Sequence, residues 1–222
     1  MTIEVKICGL STAETMGAAL DAGADHVGLV VFPSSPRHVE PERAAVLAAQ
    51  ARGRARVVVL TVDADDALID RIMTKVRPDV LQLHGRETPE RVAAIRQRHA
   101  VEIWKALPVG EAADLAVAAG YAGVADRIVF DARPPKGATR PGGNAISFDW
   151  TLLTGLDLQK PFVLSGGLDA GNVGTALAVT RAPAVDVSSG VESGPGIKDI
   201  EKIGAFTRAA RAAARAEEMA GQ

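Results

Sequence analysis

The side chains able to do chemistry in this 222-residue chain are few, and one is unique: Cys8 is the only cysteine. It lies in Val5-Lys6-Ile7-Cys8-Gly9-Leu10, a β-rich run stopped by a glycine, with Ser11 placed to cap a following helix. Side chains alternate along a strand, so Ile3, Val5 and Ile7 share one apolar face while Glu4, Lys6 and Cys8 share the other. A cation beside a thiol favours the thiolate. An ordinary thiol, with a pKa of about 8.5, is only ~3% ionised at pH 7, so even a modest lowering would make Cys8 a working base. Without such a setting, a lone cysteine is simply a small buried hydrophobe.

The partners of such a base are sought at other strand ends. Asp131 closes Arg127-Ile128-Val129-Phe130-Asp131, where it either serves as a general acid or pairs with Arg133 or Lys136. Arg37, between Pro36 and His38, is either a two-pronged clamp for a carboxylate or a solvated loop residue. Gln82 and His84 share a strand face as a polar pair. Lys105 sits near the end of another strand. Gly166-Gly167 and Ser188-Ser189-Gly190 follow two late strands, with Asp186 just before the second. Glycine turns and hydroxyls of this kind hold phosphate through backbone N–H groups. His26, His38, His84 and His99 are scattered without ligand spacing, which argues against a metal site.

The elements that would position these groups alternate along the chain. Strands are expected at His26–Val31, Arg56–Thr61, Asp79–His84, Val101–Ala106, Arg127–Asp131, Pro161–Ser165 and Ala184–Ser188, after the first at Val5–Cys8. Alanine-rich amphipathic segments separate them, among them Ser11–Ala22, Ala64–Val76, Asp169–Thr180 and Lys198–Glu218. A long loop, Ala132 to Ser147, holds three prolines and Gly142-Gly143. Eight strand–helix pairs imply an α/β fold with a parallel sheet, closing best as one (β/α)8 TIM barrel domain over residues 1–222. An open doubly wound sheet is the alternative, but strand one lacks a dinucleotide fingerprint. In such barrels the working residues cluster at the carboxyl ends of strands and in the loops that follow, a rule that selects Cys8, Arg37, His84, Lys105, Asp131, Ser165-Gly166-Gly167 and Asp186-Val187-Ser188-Ser189-Gly190.

Composition narrows the class. A net charge of −2 offers nothing to nucleic acid or a membrane surface. No apolar run is long enough to span a bilayer, no signal segment is evident, and one cysteine suits a reducing compartment. The expectation is a cytoplasmic protein. A thiol and a carboxyl near a phosphate site suggest proton movement on a sugar phosphate, such as an aldose-to-ketose shift.

The chain resembles the phosphoribosylanthranilate isomerase family of tryptophan biosynthesis over nearly its whole length. The likeness rests on Val5-Lys6-Ile7-Cys8-Gly9-Leu10, Ala22-Gly23-Ala24-Asp25 with Gly28, Ser35-Pro36-Arg37, and Leu81-Gln82-Leu83-His84-Gly85. It continues through Phe130-Asp131-Ala132, Gly142-Gly143, Phe148-Asp149-Trp150, Leu164-Ser165-Gly166-Gly167 and Asp186-Val187-Ser188-Ser189-Gly190-Val191-Glu192. The resemblance implies a cofactor-free Amadori rearrangement of N-(5-phosphoribosyl)anthranilate to 1-(2-carboxyphenylamino)-1-deoxyribulose 5-phosphate. It implies Cys8 as general base at C2′, Asp131 as general acid at the ring oxygen, and Arg37 at the anthranilate moiety. Gln82, His84 and Asp186 complete the expected substrate contacts, and Gly166, Gly167, Ser188, Ser189 and Gly190 the phosphate loops. The family contains monomers and homodimers. One departure is Gly142-Gly143-Asn144-Ala145, where the family often has Gly-Gly-Thr-Gly, because alanine disfavours positive φ. A histidine-pathway isomerase would want an aspartate in place of Cys8. Indoleglycerol-phosphate synthase would want a lysine acid and a glutamate base, and a non-catalytic phosphosugar binder has no use for Cys8 and Asp131.

Overall fold

The computed structural model describes every residue except Met1, Thr2, Lys136, Thr139, Ala145, Asp157, Gln159, Gly221 and Gln222, with the side chains of 217–220 also left aside. Eight parallel strands close into a barrel: β1 Glu4–Cys8, β2 His26–Val31, β3 Arg56–Thr61, β4 Val80–Leu83, β5 Glu102–Val109, β6 Arg127–Ala132, β7 Phe162–Leu164 and β8 Ala184–Val187. Closure is carried by β1 against β8, in register from Glu4↔Ala184 to Ile7↔Val187. The open-sheet alternative is thereby excluded.

Alternation along the strands builds two cores. Val5, Ile7, Leu29, Val57, Leu81, Ile103 and Phe130 face the helices, while Val58, Val80, Trp104, Ala106, Val129, Val163 and Ala184 fill the barrel. The amino-terminal end is plugged by charge. Arg127 donates to Glu4 at 2.9 and 3.1 Å, and Arg56 and the Trp104 indole both donate to Glu102 at 2.6 Å. His26, 5.0 Å from the Trp104 ring, is held neutral by burial and by Arg56 and Arg127, its pKa lowered to about 3. The space left for a ligand is therefore at the carboxyl-terminal end.

A repeated device sets the strand starts. Asp25, Asp79 and Asp126, each just before an even-numbered strand, accept the backbone N–H of Val5, Val57 and Ile103 at 2.7, 2.7 and 2.8 Å. Each carboxylate thus satisfies a donor that the ladder leaves unpaired at its first rung.

The helices are α1 Ala13–Asp21, α2 Pro41–Ala51, α3 Asp66–Lys75, α4 Pro89–Arg98, α5 Ala112–Leu115, α6 Val173–Thr180 and α7 Ile200–Ala220. Several boundaries correct the sequence reading. Thr12, not Ser11, caps α1, its hydroxyl accepting from Thr15 N at 3.2 Å. The segment after β5 is one α-turn followed by a 3-10 stretch, Ala116–Tyr121. Helix α6 starts later than Asp169, because Asp169 accepts from Gly171 N and Asn172 N in a turn of its own. A ribbon absent from the expectation, β9 Glu192–Gly194 with β10 Ile197–Lys198, joins β8 to α7.

Candidate active site

At the carboxyl end of the barrel lies a pocket of about 730 Å³, open mouth included. Cys8 reaches it from the last position of β1 with 4% of its surface exposed. Gly28 on β2 makes room for it, since a Cβ there would stand 2.9 Å from the sulfur. Lys6 and Cys8 do share the inner face. Lys6, however, donates to Asp186 at 2.7 Å, burial opposing its charge while Asp186 and Cys8 keep its pKa raised. The expected thiolate does not follow from this arrangement. Burial pushes the Cys8 thiol up; Lys6 and Lys198 pull it down without offsetting that, and Asp186 adds to the rise. Desolvation wins over the neighbouring ammonium because that ammonium is already committed to a carboxylate.

Asp131, on β6, lines the same pocket and is 5% exposed. Its Oδ1 accepts from Ala132 N at 2.9 Å, and its Oδ2 lies 3.2 Å from His84 Nε2. Arg133 turns away to Asp114 and Glu111, so it is not the partner of Asp131. Lys136, the other partner considered, lies outside the described residues, as does Ala145. His84 therefore pairs with Asp131 rather than with Gln82. Gln82 is fully buried inside the barrel and does not line the pocket, and both ends of its amide lack a partner among the described residues. Its strand stops one residue short of His84, which leaves Gln82 a layer deeper.

Arg37 is a clamp, but on a carboxylate of the protein. The Ser35 hydroxyl accepts Arg37 N at 3.2 Å and shapes the turn. Nε and Nη2 then grip Glu192 at 2.7 and 2.9 Å, with Nη2 also 3.2 Å from the carbonyl of Gly143. Lys198 donates to Glu192 at 2.7 Å and to the carbonyl of Ser188 at 2.8 Å. Burial opposes the charge on Glu192, but Arg37 and Lys198 hold its carboxyl below the usual range. Glu192 ends a motif quoted from sequence without a role, and Lys198 is read there only as the start of the closing helix. They pair across the β9–β10 ribbon, and only its fold-back carries Lys198 beneath the serine loop.

Gly166, Gly167, Ser188 and Ser189 line one wall, and Asp186 lies beneath them. Gly190 does not line the pocket. It abuts the loop after β7, where a Cβ would fall 1.9 Å from the Leu168 carbonyl. Gly190 thus locks the two loops together. The opposite wall is apolar, built from Val30, Phe32, Leu60 and Val62. Over the top runs the loop after β6, with Arg140, Gly142, Gly143, Asn144 and Ile146 facing the pocket. Lys105 is elsewhere. It faces the helices, donating to Gly85 O at 2.7 Å and Glu87 at 3.0 Å, because β5 runs on to Val109 and Lys105 alternates with inward-facing Trp104.

The pocket joins a thiol, a carboxyl, glycine-rich loops after the last two barrel strands and an apolar slot. Comparison with known proteins gives this arrangement a family. The family described as N-(5'phosphoribosyl)anthranilate (PRA) isomerase matches residues 5–209. The chain is 62% identical over 215 residues to an N-(5'-phosphoribosyl)anthranilate isomerase of Rhodopseudomonas palustris, covering 97% of this chain and 99% of that one. Phosphoribosyl anthranilate isomerase from Thermotoga maritima superposes with a TM-score of 0.86 at 34% identity, covering 95% and 99% of the two chains. A second solved structure, at a TM-score of 0.80 and 32% identity over 95% and 99%, is a phosphoribosyl anthranilate isomerase in complex with reduced 1-(o-carboxyphenylamino)-1-deoxyribulose 5-phosphate. No helix among the described residues is long and apolar enough to cross a membrane. The chain belongs to the phosphoribosylanthranilate isomerase family, the isomerases of tryptophan biosynthesis.

Proposed function

We propose that this isomerase converts N-(5-phosphoribosyl)anthranilate to 1-(2-carboxyphenylamino)-1-deoxyribulose 5-phosphate by proton transfer between Asp131, Cys8 and the substrate. The supporting observation is that a cysteine from β1 and an aspartate from β6 line one pocket, with the phosphate-type loops on one wall and an apolar slot on the other. Asp131 gives its proton to the ribose ring oxygen as the anthranilate nitrogen pushes the ring open to an iminium. The Cys8 thiolate then takes the proton from C2′, and the resulting enolamine tautomerises to the ketone. His84, 3.2 Å from Asp131, accompanies the acid. Gly166, Gly167, Ser188 and Ser189 hold the phosphate, and the aromatic ring lies against Val30, Phe32, Leu60 and Val62 beside Arg37. No cofactor enters this scheme. We read the chain as one domain working in the cytoplasm, as a monomer or a homodimer.

The test is loss of the fluorescence of the anthranilate adduct. Cys8→Ala and Asp131→Asn are each expected to lower kcat on the order of 10²–10⁴-fold while binding the reduced product analogue nearly as wild type does. Full activity in either variant would remove that residue from its role.

A further inference from the structure

Lys105 and Glu87 form a buried ion pair that the proposed chemistry leaves without a part. Lys105 is 1% exposed and Glu87 5%, with Nζ 3.0 Å from Oε2, and neither lines the pocket. Burial works against the Lys105 charge and Glu87 only partly offsets it, so the pKa of the ammonium lies below the ordinary lysine value. Two well-packed apolar residues would serve stability at such a buried site as well or better. What the pair holds instead is a stretch of backbone.

That stretch is the end of β4 and the turn beyond it. Lys105 Nζ donates to the Leu83 carbonyl at 3.3 Å and to the Gly85 carbonyl at 2.7 Å. Glu87 Oε2 accepts Gly85 N at 2.9 Å, and its Oε1 accepts Asp63 N, from the turn after β3, also at 2.9 Å. His84 sits between these contacts, and its own N–H donates to the Thr61 carbonyl at 2.9 Å. Both peptide planes flanking the His84 Cα are therefore fixed, which leaves only its side-chain torsions free. Gly85 makes this possible, because a Cβ there would fall 2.4 Å from Asp63 Oδ1. On the pocket side the imidazole Nε2 lies 3.2 Å from Asp131 Oδ2. The backbone of Gly142 covers both, since a Cβ on it would fall 2.4 Å from Asp131 Oδ2 and 2.8 Å from His84 Cε1.

We infer that Lys105 and Glu87 are positioning residues for the acid: from behind the barrel wall they fix the backbone of His84, and His84 in turn aims the Asp131 carboxyl at the ring oxygen of the substrate. This deepens the isomerase reading and rests on it. A carboxyl that must deliver its proton to one atom loses rate steeply when misaimed, a displacement of ~1 Å being worth on the order of 10²-fold. Neither member of the pair reaches the substrate, so its effect on the reaction has to pass through His84.

The experiment is a double-mutant cycle on N-(5-phosphoribosyl)anthranilate: wild type, Lys105→Met/Glu87→Gln, His84→Ala, and the two changes combined. Removing both charges together leaves neither one buried alone. With His84 present, replacing the pair should lower kcat by about 10- to 100-fold and move KM by less than about 2-fold. In the His84→Ala background the same replacement should lower kcat by less than about 2-fold. A second readout needs no turnover. The His84 imidazole Cε1–H proton resonance, identified by its loss in His84→Ala, should shift when Asp131→Asn is made in wild type, and should shift far less once the pair is replaced. Equal losses of kcat in both backgrounds, an unchanged kcat with His84 present, or an effect confined to KM would overturn the inference. So would a His84 resonance equally sensitive to Asp131 with and without the pair. Should the double replacement not fold, Glu87→Gln alone enters the same cycle with a smaller expected loss, about 5-fold. Failure of wild type to turn over the substrate would instead refute the isomerase reading, and the resonance would still report whether the pair aims His84.

Discussion

At the level of single residues, the decisive contest is over one proton on sulfur. Burial wins at Cys8, so the resting thiol is protonated around neutrality and the base has to be generated by ionisation. Below its pKa the thiolate fraction grows tenfold per pH unit, so the logarithm of the rate at which iodoacetamide alkylates Cys8 is expected to climb with a slope near +1 from about pH 6 to 8. A flat alkylation rate over that interval would mean that the thiol is already ionised in the folded protein. Cys8 and Asp131 were legible because a strand-end position is a property of local sequence. The state of the thiol was not, since Lys6 is drawn off by Asp186, 180 positions along the chain. Arg37 shows the same limit: its two-pronged geometry was readable, but its partner Glu192 lies 155 positions away. The face that Lys105 takes is not legible from sequence, because β5 runs past the expected end at Ala106 and a lysine near a strand end looks alike whichever face it takes.

Elements were more readable where they are long. The eight strands and their order follow from apolar runs separated by amphipathic stretches, and each was recovered to within a few residues. The β9–β10 ribbon escaped notice because strands of three and two residues have no period to detect. Of the aspartates at the strand starts, only Asp25 stands in a motif legible from sequence, and the structure gives all three one job. Asp79 bonds Val57 N at 2.7 Å while half exposed, so Asp79→Ala should cost about 1–2 kcal/mol by leaving the second amide of β3 unpaired. Chemical denaturation should show a lower midpoint with an unchanged m-value, and activity at low temperature should persist. An unaltered midpoint would show that water replaces the carboxylate freely.

For the molecule as a whole, acid is the natural enemy of the plug at the amino-terminal end. His26 is depressed to about 3, so below about pH 6.5 an unfolded chain takes a proton that the folded one refuses. Stability from this group is therefore complete above pH 6.5 and is lost as pH falls toward 3, by up to about 5 kcal/mol. Glu102, whose carboxyl Trp104, Arg56 and Arg127 hold below the usual range despite the opposing effect of burial, adds to the loss as it protonates. A His26→Gln variant should lose less stability between pH 6.5 and 4 than the parent does, by denaturant titration at each pH; parallel curves would deny His26 the role. The seam of the ring has a different consequence. First strand and last strand meet only through β1 and β8, and Arg211 of α7 reaches back to the Ile3 carbonyl and to Asp25. A ribosome emitting this chain holds an incomplete hoop with two raw borders until its final turns emerge. The Cys8 sulfur, laid down on the first strand of the ring, waits for the last strand before it has a chamber to sit in.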